Sequence, residues 1–113
     1  RDFQLLRMDT RGHGASDVPG GDYHMADLAQ DVAAVMGAAD LDRAAIGGVS
    51  LGGMVAMELA LAAPDRVAAL VLVCTSAEMD RTGWEDRLAK VRSGGIEITQ
   101  RYTAQTIRAV VVR

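Results

Sequence analysis

Scarcity is the first guide to this chain. It holds a single cysteine, Cys74, so no intrachain disulfide can form. That usage fits a reducing compartment and a cytoplasmic protein. Cys74 follows the apolar run 67–73 and reads as a small buried residue rather than a nucleophile. Aromatic residues make up only 4% of the chain, so its core must be built from Ala, Val, Leu, Ile and Met; half of all residues are hydrophobic, which is enough. No basic block stands out. The 12 Lys and Arg and 15 Asp and Glu are spread along the chain, with a net charge of −3, which argues against nucleic acid or an anionic membrane as partner. The longest apolar stretches are broken by Glu58 and Pro64, so no transmembrane helix is expected, and no secretory signal is visible at the N-terminus.

What is present alternates in type. Residues 3–9 read as a strand ending in a polar turn, and 10–22 as a glycine-rich loop containing Pro19. Between 25 and 39, Leu28, Val32, Val35, Met36 and Ala39 recur at helical spacing on one face, with Asp27 and Asp31 placed elsewhere and suited to the positive end of a helix. Residues 44–49 form a short apolar run. Residues 51–63 read as a helix whose only charge is Glu58, ended by Pro64 and Asp65. Residues 67–73 are apolar throughout, which suits a parallel strand covered on both faces. Strand, helix, strand, helix, strand predicts a doubly wound α/β sheet with three adjacent parallel strands joined by right-handed crossovers. Beyond Ser76 the order changes. Residues 81–92 read as an amphipathic helix carrying Trp84, Leu88 and Val91 on one side, broken at Gly94-Gly95, and 96–113 as either a helix or a strand. The length of 113 residues suggests one folding unit.

The chemistry centres on Gly48-Val49-Ser50-Leu51-Gly52. A serine between a buried strand and a helix, with glycine two positions to either side, is a nucleophile elbow. So sharp a turn strains the serine backbone, and neighbouring Cβ atoms would collide. The elbow lifts Oγ clear of the sheet, and the amide of Leu51 can face a developing oxyanion. Gly53 leaves room where helix and sheet approach.

Several stretches together resemble the α/β-hydrolase family: Asp9-Thr10-Arg11-Gly12-His13-Gly14-Ala15-Ser16-Asp17, Tyr23, Asp27-Leu28-Ala29-Gln30-Asp31-Val32, Gly48 to Met54, and Pro64-Asp65-Arg66-Val67. The match runs in register from about Phe3 to Ser76. Within that family, Gly83-Trp84-Glu85-Asp86-Arg87 and Val91-Arg92-Ser93-Gly94-Gly95 resemble the 3-oxoadipate enol-lactonases, which open an enol-lactone in the β-ketoadipate route of aromatic degradation. The resemblance implies the central part of a hydrolase core over residues 1–76 and the start of a helical cap over 77–113. It implies Ser50 as nucleophile, the Leu51 amide as oxyanion donor, and Trp84 either lining the pocket under the cap or anchoring its helix.

Other candidates fit less well. His13 and His24 both precede Ser50, whereas this fold orders its triad as Ser, acid, His. His13 reads as shaping its loop, and His24 stands where Ser or Thr would cap a helix better. Asp80 and Asp86 lie in a region from which some family members take the acid, but also read as a solvated loop and helix face. Arg11 could meet a substrate carboxylate or pin its own loop. Met54 and Met57 read as core filler. No histidine follows Ser50, and the chain starts at Arg1. The expectation is therefore an incomplete and inactive piece of a larger serine hydrolase of esters or lactones, using a small-molecule substrate and neither metal nor organic cofactor. The alternatives are another α/β-hydrolase (an esterase, a C–C bond hydrolase or a perhydrolase) and a non-catalytic hydrolase-fold binding protein.

Overall fold

The computed structural model describes residues 3–94 and the backbone of Arg108–Val112. Strand β1 is Leu5–Asp9, helix α1 Met25–Ala38, strand β2 Ala44–Val49, helix α2 Leu51–Ala62, strand β3 Val67–Val73, helix α3 Arg81–Gly94 and strand β4 Arg108–Val112. A 3₁₀ turn at Pro64–Arg66 joins α2 to β3, with Pro64 at its start, where a missing N–H costs nothing. The chain divides into two compact units: residues 1–76 with 107–113, and residues 77–106. One folding unit is what the length suggests. No side chain of α3 is buried.

The first unit is a four-stranded sheet in the order β1-β4-β2-β3. β2 and β3 pair in parallel, Gly47 opposite Val71 and Val49 opposite Val73, as the sequence predicts. β1 does not lie beside β2. β4 runs antiparallel to both and stands between them, with Leu6 opposite Val111 and Ile46 opposite Val111. β1, β2 and β3 therefore share one direction, but the expected set of three adjacent parallel strands is corrected to one parallel pair plus an inserted antiparallel strand. The reason is pairing demand. β1 and β2 each present a row of backbone donors and acceptors, and the Val-rich Arg108–Val112 suits a strand that satisfies both. Of the expectation for 96–113, only this strand lies among the described residues.

The core lies where α1 and α2 meet the sheet. Leu28, Ala29, Val32 and Met36 from α1 join Ala44 and Ile46 from β2 and Val55, Ala56 and Leu59 from α2, with Leu6 and Met8 of β1 packed against them. The helical spacing read from the sequence is the spacing of the buried face. Asp27 bends back at the start of α1 to accept the His24 N–H at 2.9 Å, the reach-back half of a capping box.

β3 departs from expectation. Leu70, Val71, Leu72 and Val73 are 38–55% exposed, so this apolar strand is not covered on both faces. Among the described strands it occupies the end of the sheet order, beside β2. The same position corrects Cys74, which is exposed rather than buried.

Candidate active site

Ser50 follows β2 directly and caps α2 with φ 53° and ψ −116°. That places a non-glycine residue in a sparsely populated backbone region, which persists only where the surroundings over-determine it. Here they do. The Ser50 N–H donates to the Val73 carbonyl at 2.9 Å, and the Ser50 carbonyl accepts from Gly53 N–H at 2.9 Å and Met54 N–H at 3.2 Å. Thr75 Oγ1 donates to the same carbonyl at 2.8 Å. The serine is thus tied by its backbone to the end of β3 and the first turn of α2, while its side chain makes no capping bond.

The glycines act through space. A Cβ on Gly48 would run into the backbone of Gly52 and Gly53, and one on Gly53 would meet Thr75 Cγ2 at 2.5 Å and Cβ at 2.8 Å. Side chains at either position would push helix and strand apart. As the first helical residue, Leu51 has an amide with no intrahelical acceptor, and it stands at the positive end of α2. Serine hydroxyl and donor amide are thus successive residues of one sharp turn.

The loop after β1 is held from within. Arg11 sets a two-pronged bond on Asp31, Nε and Nη2 each 2.6 Å from a carboxylate oxygen, and its guanidinium lies 5.6 Å from the Tyr23 ring centre. The hydrogen bond that Arg11 donates to Asp31 holds its pKa above the ordinary value, so Arg11 stays charged at any working pH. Arg11 therefore pins the loop to α1. His13 Nδ1 lies 3.1 Å from Thr10 Oγ1 and 3.2 Å from the Arg11 carbonyl, which gives the ring a place in its own loop. Ser16 Oγ donates to the Asp9 carbonyl at 2.6 Å, and Gly14 (φ +54°) sits against the Asp9 side chain with no room for a Cβ.

The second unit carries the remaining candidates. Asp80 caps α3, accepting from Thr82 N–H at 3.3 Å and Gly83 N–H at 3.2 Å. Asp86 accepts from Lys90 Nζ at 2.6 Å on the exposed helix face. Both carboxylates have structural work. Trp84 is 46% exposed, with the Arg87 guanidinium 5.2 Å from its ring centre. Nothing local in the sequence singles out Thr75; its bond exists because β3 ends beside the elbow. Among the described residues, no group of three or more His, Cys, Asp or Glu could hold a metal ion, and no helix is long and apolar enough to cross a membrane.

The fold agrees with the comparisons. A family model described as the alpha/beta hydrolase fold matches residues 1–95, and the chain belongs to that family. It is 35% identical over 95 residues to 3-oxoadipate enol-lactonase 2 of Acinetobacter baylyi, covering 83% of this chain and 36% of that protein. It is 38% identical over 94 residues to a Cronobacter sakazakii protein, RutD, whose name assigns it provisionally to carbamate hydrolysis; 81% of this chain and 34% of that one are covered. The crystal structure of the enol-lactonase from Burkholderia xenovorans LB400 superposes with a TM-score of 0.73 at 33% identity, over 85% of this chain and 37% of that one. The chain thus spans 34–37% of the length of these relatives.

Proposed function

We propose that this chain is the nucleophile-bearing part of a serine hydrolase that cleaves a carboxylic ester or lactone, with 3-oxoadipate enol-lactone as the best specific substrate. The observation that carries the reading is Ser50, held at φ 53° and ψ −116° between β2 and the N-terminus of α2. In the proposed reaction Ser50 Oγ attacks the substrate carbonyl, a histidine base takes its proton, and the Leu51 N–H donates to the oxyanion. Collapse of the tetrahedral intermediate breaks the ring C–O bond and leaves an acyl-enzyme. Water, activated by the same base, then releases the open-chain acid. His13 and His24 precede the serine and do not fit the family's chain order for that base. In this reading Trp84, exposed on α3, contributes its ring to substrate binding. Carbamate hydrolysis is a second reading, supported by the RutD relative and served by the same acyl chemistry.

The test is Ser50→Ala in the full-length protein, assayed against enol-lactone, carbamate and p-nitrophenyl ester substrates. Turnover should fall by a factor on the order of 10⁶, with the fold intact by circular dichroism. Near-normal turnover by the variant would remove Ser50 from the chemistry, and the preferred substrate of the wild type decides between the two readings.

A further inference from the structure

The residues that end β3 grip the elbow, and we propose that Thr75 is a positioning residue whose hydroxyl holds Ser50 in its catalytic torsions. This rests on Ser50 being the nucleophile. Val73 accepts the Ser50 N–H at 2.9 Å, and Thr75 Oγ1 donates to the Ser50 carbonyl at 2.8 Å. Cys74 stands between them at φ 48°, a left-handed turn that swings Thr75 back toward the elbow. Both polar groups of the Ser50 backbone are therefore bound from one three-residue stretch.

The geometry points to position and not only to packing. Ser50 ψ fixes where the Leu51 amide aims relative to Oγ, and the carbonyl that Thr75 engages moves with that torsion. Gly53 and Met54 donate to the same carbonyl, so a missing Thr75 hydroxyl leaves it satisfied and the helix start intact. What is lost is a restraint against relaxation of a strained torsion. Thr75 also fills the space left by the missing side chain of Gly53, whose Cβ would lie 2.5–2.9 Å from Thr75 Cγ2, Cβ and Oγ1. Helix start, strand end and nucleophile thus meet at one side chain.

Three variants of the full-length protein test this, with Ser50→Ala run beside them. Thr75→Val keeps the branched bulk and removes the hydroxyl. It should lower kcat on a p-nitrophenyl ester roughly three- to tenfold, the worth of about one hydrogen bond, with KM and Tm near wild type. Fluorophosphonate capture of Ser50 should slow in step. Thr75→Ser restores the hydroxyl and should restore kcat. Gly53→Ala should displace Thr75, lower kcat similarly, and add little to the loss in a Thr75→Val background. Turnover retained by Ser50→Ala would defeat the nucleophile reading and the proposal with it. Ser50-dependent turnover that Thr75→Val leaves at the wild-type rate, or that Thr75→Ser fails to recover, would refute the positioning role while the nucleophile stands.

Discussion

At Gly48 the cost of a single methyl group is legible atom by atom. Its Cβ would enter the backbone of Gly52 and Gly53 on the first turn of α2, and backbone cannot swing aside as a long side chain can. Gly48→Ala should therefore destabilise by about 1–3 kcal/mol or more, the range for overpacking a filled interior, seen as a lowered midpoint in urea with an unchanged slope. Gly20 has open space around it, and Gly20→Ala should lie within about 0.5 kcal/mol of wild type. Equal stability of the two variants would mean that helix and strand are not pressed together at the elbow. The spacing of these glycines around Ser50 is visible in the sequence, because so sharp a strand-to-helix turn demands it. Thr75 is not visible in the same way. It lies 25 residues from Ser50 along the chain, and only the pairing of β2 with β3 brings the two together.

Among elements, the joint between α1, β2 and the 3₁₀ turn depends on Arg66. Its guanidinium donates to the carbonyls of Leu41 at 2.9 Å, Asp42 at 3.1 Å and Ala33 at 3.4 Å. One flat, five-donor group thus satisfies carbonyls on the last turns of α1 and on the loop into β2. Arg66→Ala should cost on the order of 1–2 kcal/mol, and Arg66→Lys should recover little, because an ammonium cannot reach three divergent acceptors. Full recovery by Lys in thermal unfolding would show that charge alone matters there. Most element boundaries are local and were open to reading: Val67–Val73 and Ala44–Val49 fall where the apolar runs fall, and α1 where the 3.6-residue spacing falls. The strand order was not, since β4 enters the sheet from more than 30 residues beyond β3 and nothing in Arg108–Val112 names its neighbours. The exposure of β3 was illegible for a related reason. A continuous apolar run states what a strand is fit to bury, and its neighbours decide whether it is buried.

At the scale of the whole molecule, several large apolar side chains of the described residues lie uncovered. Phe3 is 73% exposed, Leu5 58%, Val71 55% and Val73 44%, and among the described residues β3 has β2 as its only strand neighbour. Leu5 and Val71 both alternate away from the helix-covered core face, since Leu6 and Met8 on β1 and Ala44 and Ile46 on β2 point into it. An apolar sheet face next to an open strand edge is a template for association. A polypeptide of residues 1–113 alone should therefore sediment as a concentration-dependent mixture of oligomers and bind a hydrophobic dye. Val71→Lys with Val73→Lys should shift it toward monomer without loss of helical circular dichroism, because neither side chain is buried in the core. The elbow should be formed but slow in the same sample: with no histidine after Ser50, fluorophosphonate capture should run far below that of a complete serine hydrolase. A monodisperse monomer with fast, Ser50-dependent capture would overturn both expectations. His13, already on the loop after β1 with its Nδ1 engaged by Thr10, would then be the first residue to replace in the search for the base.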